Sequence, residues 1–475
     1  MEIKKVVITN FKGFKDKFTI SLNRGLNIIV GNNEAGKSTI LEAINLALTG
    51  IYNGRYIRNE LSQYLFNEET VSEYIKSFEY EAPISPPSIS IELYINGGSE
   101  VVPLEGDKNS DGIGHSGISF NIEFNEIYKS SYEALLKTGE VKTIPIEYYH
   151  VVWSSFARDA ITARNIPLKS AYIDSSSSRN KNGSDVYIGR IVKGLLSEDE
   201  IVSIAQSQRQ MKEHFMDAPS IESINKKISE AGKISNKEIK ISVELSPTNW
   251  ETGLTTYLDN IPFHFVGKGE QSVIKTNLAL AHNKAKEANV ILLEEPENHL
   301  SHSKLNQLIN AIKNGNEDKQ IIVTTHNSFV ANKLGLDDLI LLNEKKTLKL
   351  DSLSSETKTF FEKISGYDTL RLILCKKAIL VEGDSDELIV QRAYQDLNNG
   401  KLPINDEIEV VSVGISFLRF LEIAEKLSQP VSVVTDNDGN IESLKKKYKE
   451  YLGDNAKSNI KICFESTVDT GTLKI

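Results

Sequence analysis

The nine residues GNNEAGKST, Gly31 to Thr39, match the spacing glycine, four residues, glycine-lysine-serine. An apolar run, LNIIVG (Leu26 to Gly31), leads into them, and Ser38 to Leu48 continues with helical apolar spacing. Strand, glycine loop and helix in that order form the context in which such a loop cradles a phosphate chain. Gly31 and Gly36 let the backbone turn its N–H groups toward a β-phosphate at the positive end of the helix. Asn32 and Asn33 form the tip of the loop, and Lys37 is placed to reach the β- and γ-phosphates. Ser38, followed by Thr39, sets a hydroxyl on Mg²⁺.

Such a loop calls for an acidic partner on a neighbouring strand, and VILLEEPENHL, Val290 to Leu300, supplies a candidate. Alone, its adjacent carboxylates could be the acidic start of a surface helix. Beside the loop they read as the end of a buried strand, with Glu294 orienting the water shell of Mg²⁺ and Glu295 polarising an attacking water. TTHNS closes the next apolar strand and offers His326 as a γ-phosphate sensor. Between loop and carboxylates, GKGEQ (Gly267 to Gln271) places Gly267 and Gly269 before a helical run, a second anion-binding arrangement that ends on Gln271.

The bulk composition bounds the rest. A chain of 475 residues exceeds one ordinary core, so two or three domains are expected. Apolar and charged fractions of 40% and 25% are those of a globular chain. No apolar run approaches the roughly 20 residues of a membrane span, and MEIKKVVITNFKGF lacks the features of a secretory signal. With only Cys375 and Cys463 there is no disulfide framework, and a reducing cytoplasm is the expected location. A net charge of −10 argues against a uniformly basic surface but leaves room for a local track such as KKKYK, Lys445 to Lys449. A solvated helix face is the plainer reading of that run.

Along the chain, VVITN and FTISL read as half-buried strands and SISIELYI as another, with Asn96 to Ser116 a loop or hairpin turn. Ser175 to Asp185 is a polar loop. Ser197 to Gly232 is mostly helical, opening on a serine and an acidic first turn, and is placed as an inserted arm at about 190–240. From Val290 onward, buried strands alternate with helices, the pattern of a mostly parallel α/β sheet. After a break at DSLSSETK (Asp351 to Lys358), a second α/β series begins, with strands AILVEG, IEVVSVG and VSVVTD. The expected domains are therefore 1–355 and 356–475.

Loop, glycine-rich segment, carboxylate pair and histidine, in that order, resemble the cassette-type (ABC) ATPases of the recombination and chromosome-maintenance group. NFKGF, Asn10 to Phe14, resembles that group's N-terminal element as well. The resemblance implies a compact relative that dimerises through its ATPase head and a largely helical arm. It also implies that the Gly267–Gln271 loop of one protomer acts on the nucleotide of the other.

In the second series, ILVEGDSDE ends a strand on Glu382, with Asp384 and Asp386 beyond it. VVSVGIS turns at Gly414, and VSVVTDNDGN ends on Asp436 and Asp438. A strand-end glutamate, a glycine turn and an aspartate pair resemble the Toprim domain, and a set of hard oxygen donors suits Mg²⁺ or Mn²⁺. A cassette ATPase followed by Toprim is similar to the OLD (overcoming lysogenisation defect) nucleases. That resemblance implies ATP hydrolysis and two-metal phosphodiester cleavage of DNA, with Glu382, Asp386, Asp436 and Asp438 as ligands. It further implies a role in bacterial anti-phage defence, with a homodimer or higher oligomer and a second defence component, protein or retron nucleic acid, as partners. The turn Gly414-Ile415 departs from a two-glycine family pattern. The stop at GTLKI, Gly471 to Ile475, falls short of the further acid and catalytic lysine that the family resemblance implies, so either the Toprim domain is truncated or this member has lost part of its nuclease site. The competing reading is an ATP-gated scaffold or sensor whose Toprim half is structural or binds a partner.

Overall fold

The structure is a computed structural model. It describes residues 1–53, 55–79, 84–138, 141–174, 197–231, 241, 257–271, 273–274, 289–298, 300–314, 319–343, 345–350, 353–363, 369–437 and 439–464. The chain divides into two compact units, one of residues 1–175, 289–298 and 302–475, the other of 176–288 and 299–301.

Two six-stranded sheets flank the first helix of the larger unit. One is antiparallel and holds Glu2–Thr9, Phe18–Ser21, Ile89–Asn96, His115–Phe124 and Tyr149–Ser155, with the short Glu105–Gly106 at its edge. The other runs Ser170–Asp174, Val290–Glu294, Gln320–Thr325, Leu26–Gly31, Leu339–Asn343 and Lys346–Lys349, all parallel except the last pair. Its three central strands are buried along almost their whole length and mostly apolar, as burial on both faces demands, and their buried Asn27 and Gln320 are hydrogen-bonded. The helix Lys37–Thr49 buries Ile40, Leu41, Ala43, Ile44, Leu46, Ala47 and Leu48. A helix apolar on nearly all sides needs cover on nearly all sides, and this one packs on strands of both sheets.

Gln320 ties the sheets together. Its side chain is 1% exposed, accepts from the Ile3 N–H at 2.8 Å and donates to the carbonyls of Ile3 and Asn23 at 2.7 Å each. One amide thus satisfies three buried backbone groups.

The second α/β series forms a four-stranded, all-parallel sheet in the order Ile408–Ser412, Lys377–Val381, Val431–Val434, Ile460–Cys463. The break read at Asp351 to Lys358 is instead where a helix, Ser355–Lys363, begins. That helix is bonded on both sides. Glu362 meets Lys313 and Asp337 meets Lys358, at 2.6 and 2.7 Å, while Arg419 reaches Glu356 at 2.7 Å and Glu422 accepts from Ser354 Oγ at 2.8 Å. The polar side chains of this stretch are largely exposed, and several of them nevertheless pair with neighbouring elements.

In the smaller unit, the helices Glu198–Met216 and Pro219–Ala231 occupy the stretch read as helical, and Ser197 with Glu200 forms the capping box that starts the first. Among the described residues no helix is long and apolar enough to cross a membrane.

Replacing Gln320 with leucine orphans the Ile3 N–H and two carbonyls. The expected loss is on the order of 3 kcal/mol, read as a lower unfolding midpoint of the purified chain, and an unchanged midpoint would refute the bridging role.

Candidate functional site

At the C-terminal end of the Leu26–Gly31 strand the chain turns sharply into the Lys37–Thr49 helix. Gly36, with φ +106°, occupies the N-cap, and no side chain caps the helix. The first-turn N–H groups are therefore not taken by a capping side chain, as an anion site requires. A Cβ on Gly36 would stand 2.7 Å from the ring of Phe14, and one on Gly31 would meet the Leu342 carbonyl at 2.6 Å. Both positions exclude a side chain, and Phe14 of the NFKGF element is the wall behind the loop. Asn32, Asn33 and Ser38 are exposed and Thr39 half-buried. Lys37 is buried and donates to the carbonyls of Gly31 and Asn32 at 2.7 and 3.0 Å. Burial lowers its pKa, opposed by the charges of Glu295, Glu297 and Glu294.

The strand bearing those glutamates is not the direct neighbour of the phosphate-loop strand. Gln320–Thr325 lies between them, pairing Thr324 with Ile29 on one side and with Glu294 on the other. The interposed strand delivers His326 into the gap between loop and carboxylates. Glu294 is buried and accepts a hydrogen bond from the Tyr172 hydroxyl. Glu295 leaves the strand with φ +41° and turns back: Oε1 lies 3.2 Å from His326 Nδ1, and Oε2 accepts from Asn298 Nδ2 at 2.9 Å.

Two residues of this cluster were not singled out in the sequence. Tyr172 sits on an edge strand whose pattern gave no signal. Glu297 is a third carboxylate, and its signal was present as the E of EEPE. It accepts from the Thr325 hydroxyl and from the His326 N–H at 3.3 Å. Burial raises its pKa, offset in part by the Thr325 hydrogen bond.

Gly267, Gly269 and Gln271 lie in the smaller unit. Gly267 precedes a helical turn and accepts from the Glu270 and Gln271 N–H groups at 3.0 Å, while Gly269 falls inside that turn rather than before it. The Gln271 amide is buried and donates to the Val266 carbonyl at 2.7 Å.

In the second sheet, Glu382 and Asp436 follow the ends of Lys377–Val381 and Val431–Val434, adjacent parallel strands paired Leu380 to Val433. Both side chains are exposed. The Gly414 turn, at φ +55°, donates its N–H to the Glu382 carbonyl at 2.9 Å and so fixes the strand end that presents the carboxylate. Asp386 folds back, its Oδ2 accepting from the Gly383 N–H at 2.9 Å, and Asp436 Oδ1 accepts from the Asn437 N–H at 2.6 Å. Asp438 lies outside the described residues, as do Gly471 to Ile475. Among the described residues no group of three or more His, Cys, Asp or Glu side chains is arranged to hold a metal.

A glycine loop between buried strand and helix, with carboxylates and a histidine at the same edge of a parallel sheet, defines a P-loop protein of the cassette type. The chain belongs to the RecF/RecN/SMC N terminal domain family, whose model matches residues 2–347. Residues 373–438 match the overcoming lysogenization defect protein-like TOPRIM domain, which makes the chain an OLD-type fusion of ATPase and Toprim.

Shorter similarities agree with the first assignment. They include 30% identity over 107 residues with a Structural maintenance of chromosomes protein 3 homolog of Plasmodium falciparum, covering 20% of this chain and 9% of that one. A Chromosome partition protein Smc of Fusobacterium nucleatum is 46% identical over 63 residues, 13% of this chain and 5% of that protein. A DNA replication and repair protein RecF of Acetivibrio thermocellus is 42% identical over 50 residues, 10% of this chain and 13% of that protein. The chain thus spans only a small part of each of these relatives. Solved structures with similarity include the SMC head domain from Thermotoga maritima, at 14% identity and TM-score 0.34, covering 74% of this chain and 100% of that one. An Smc head domain with an extended coiled coil from Pyrococcus furiosus, at 15% identity and TM-score 0.39, covers 76% and 99%.

Gly36→Ala is expected to weaken nucleotide binding at least about tenfold, because the left-handed backbone costs roughly 1–2 kcal/mol for an L side chain and Phe14 leaves no room for the methyl. Titration with a fluorescent ATP analogue measures it, and wild-type affinity in this variant would contradict the cradle geometry.

Proposed function

We propose that the chain binds and hydrolyses ATP and is a Mg²⁺- or Mn²⁺-dependent DNA endonuclease of OLD type acting in bacterial anti-phage defence. Residues 1–355 would form the ATPase portion and 356–475 the Toprim portion. One observation carries the reading: Lys37, the three glutamates and His326, drawn from three separate segments, converge at one edge of the parallel sheet. The fold-back of Lys37 onto its own loop carbonyls holds its ammonium where a phosphate chain would take over those bonds.

The residues present fit a nucleotide with its magnesium. The loop N–H groups of Gly31 to Thr39 would bind phosphate oxygens, Lys37 would neutralise them, and Ser38 with Glu294 would hold the ion. Glu295 Oε1 would accept the proton of the attacking water, with His326 beside it. In the Toprim portion, Glu382, Asp386, Asp436 and Asp438 are an all-oxygen set suited to hard cations. Divalent ions there would stabilise both the attacking and the leaving oxygen of a phosphodiester displacement.

The loop at Gly267, Gly269 and Gln271 would complete a second protomer's nucleotide site, which requires a homodimer or a higher oligomer. DNA, and a defence-system protein or retron nucleic acid, would be the other partners, in the cytoplasm.

Two substitutions separate the activities. Glu295→Gln is expected to keep ATP affinity and to lose roughly 10²–10⁴-fold in turnover, measured as phosphate release. Asp436→Ala is expected to abolish metal-dependent nicking of supercoiled plasmid while ATP turnover stays within about twofold. Nicking that persists in Asp436→Ala would overturn the nuclease half. A defence phenotype unaffected by alanine at Glu382 and Asp436 would favour the scaffold reading.

A further inference from the structure

The Glu297 carboxylate stands apart from the pair assigned to the ion and the water. Its side chain is 4% exposed, yet its Oε2 is buried with no hydrogen-bond partner among the described residues. A half-satisfied buried carboxylate is costly, and where a fold keeps one the cause is sought in function. The other oxygen, Oε1, does three things at once. It accepts the Thr325 hydroxyl, accepts the His326 backbone N–H at 3.3 Å, and lies 3.8 Å from His326 Nδ1. Thr325 Oγ1 in turn accepts the Asn327 N–H at 3.0 Å, and the Asn327 side chain caps the Ser328–Leu334 helix through the N–H groups of Phe329 and Val330. Glu297 Oε1 is thus bonded to both residues of the turn that carries the imidazole, which the strand ladder and the Glu295 contact also hold.

We propose that Glu297 is a positioning residue of the nucleotide site: its carboxylate fixes the Thr325–His326 turn and so sets the imidazole against Glu295. This rests on the ATPase reading given above. A carboxylate suits the task because one oxygen accepts two donors at once. The reach of Glu297 past Pro296 puts the clamp on the same short segment as Glu295, so the two carboxylates that flank the ring move as one piece.

The test uses the full chain with ATP·Mg²⁺. Glu297→Ala is expected to lower kcat roughly 10- to 100-fold, with KM within about twofold. Glu297→Gln keeps an acceptor oxygen for both donors and is expected to retain at least about half of kcat. Thr325→Val removes one of the two bonds donated to Glu297, together with the Asn327 N–H bond to Thr325 Oγ1, leaves the carboxylate in place and is expected to fall between them. It carries the comparison should the alanine variant fail to fold. A readout independent of turnover is the His326 ring signal in histidine-labelled, nucleotide-free protein, assigned by its loss in His326→Gln. That signal is expected to shift or broaden in the alanine and Thr325→Val variants and to hold its place in Glu297→Gln. A kcat within twofold of wild type in both Glu297→Ala and Thr325→Val, an unmoved His326 signal in them, or failure of glutamine to rescue would each overturn the proposal. A wild-type chain that turns over no ATP would remove the ATPase reading alone, because the ring signal still decides the role of Glu297.

Discussion

The register of a single strand governs the candidate nucleotide site. Gln320–Thr325 pairs in parallel with the phosphate-loop strand on one side and with the acidic strand on the other, and the three end within two residues of one another. Parallel strands bring their C-terminal ends to one edge, so a loop, a carboxylate turn and a histidine arrive together from segments far apart in sequence. A slip of one residue would send every buried side chain of the strand to the opposite face. Gln320 opposes such a slip at the start of the strand, since its amide is bonded to Ile3 and Asn23 outside the ladder.

Electrostatics then dictate what this edge can hold. Lys37 is desolvated, and the compensating charges of Glu295, Glu297 and Glu294 surround it. Three carboxylates beside one ammonium disfavour one another's ionised forms, and Lys37 offsets part of that repulsion. The Toprim edge repeats the principle with less shielding: Glu382 and Asp436 are exposed at the ends of adjacent strands, and Asp386 is engaged by a backbone N–H.

How much of this was legible follows from the physics of each element. LNIIVG, VILLEE and IIVTTH were readable because strands buried on both faces are dominated by apolar runs, which here give way to polar residues at the sheet edge. Their lateral order was not, since periodicity carries no information about which strand lies beside which, and the histidine strand turned out to separate loop from carboxylates. The strands His115–Phe124 and Tyr149–Ser155 escaped notice because HSGISFNIEF and YHVVWSS mix glycine, asparagine and serine into the apolar alternation. Glu297 was passed over because Pro296 separates it from the adjacent pair, although the chain brings it back to the same turn. Tyr172 had no sequence signal at all, because its partner, Glu294, is defined only by the pairing of two edge-side strands.

The first strand of the parallel sheet, Ser170–Asp174, is paired residue for residue with Val290–Glu294. Everything from 175 to 289 is therefore the crossover between two neighbouring strands. A parallel pair sets a minimum length for its connection and no maximum. The sheet fixes where the chain leaves and where it returns, and the distance travelled between is free. A change in the length of this excursion that spares the Gly267–Gln271 loop need not disturb the pairing of Ser170–Asp174 with Val290–Glu294.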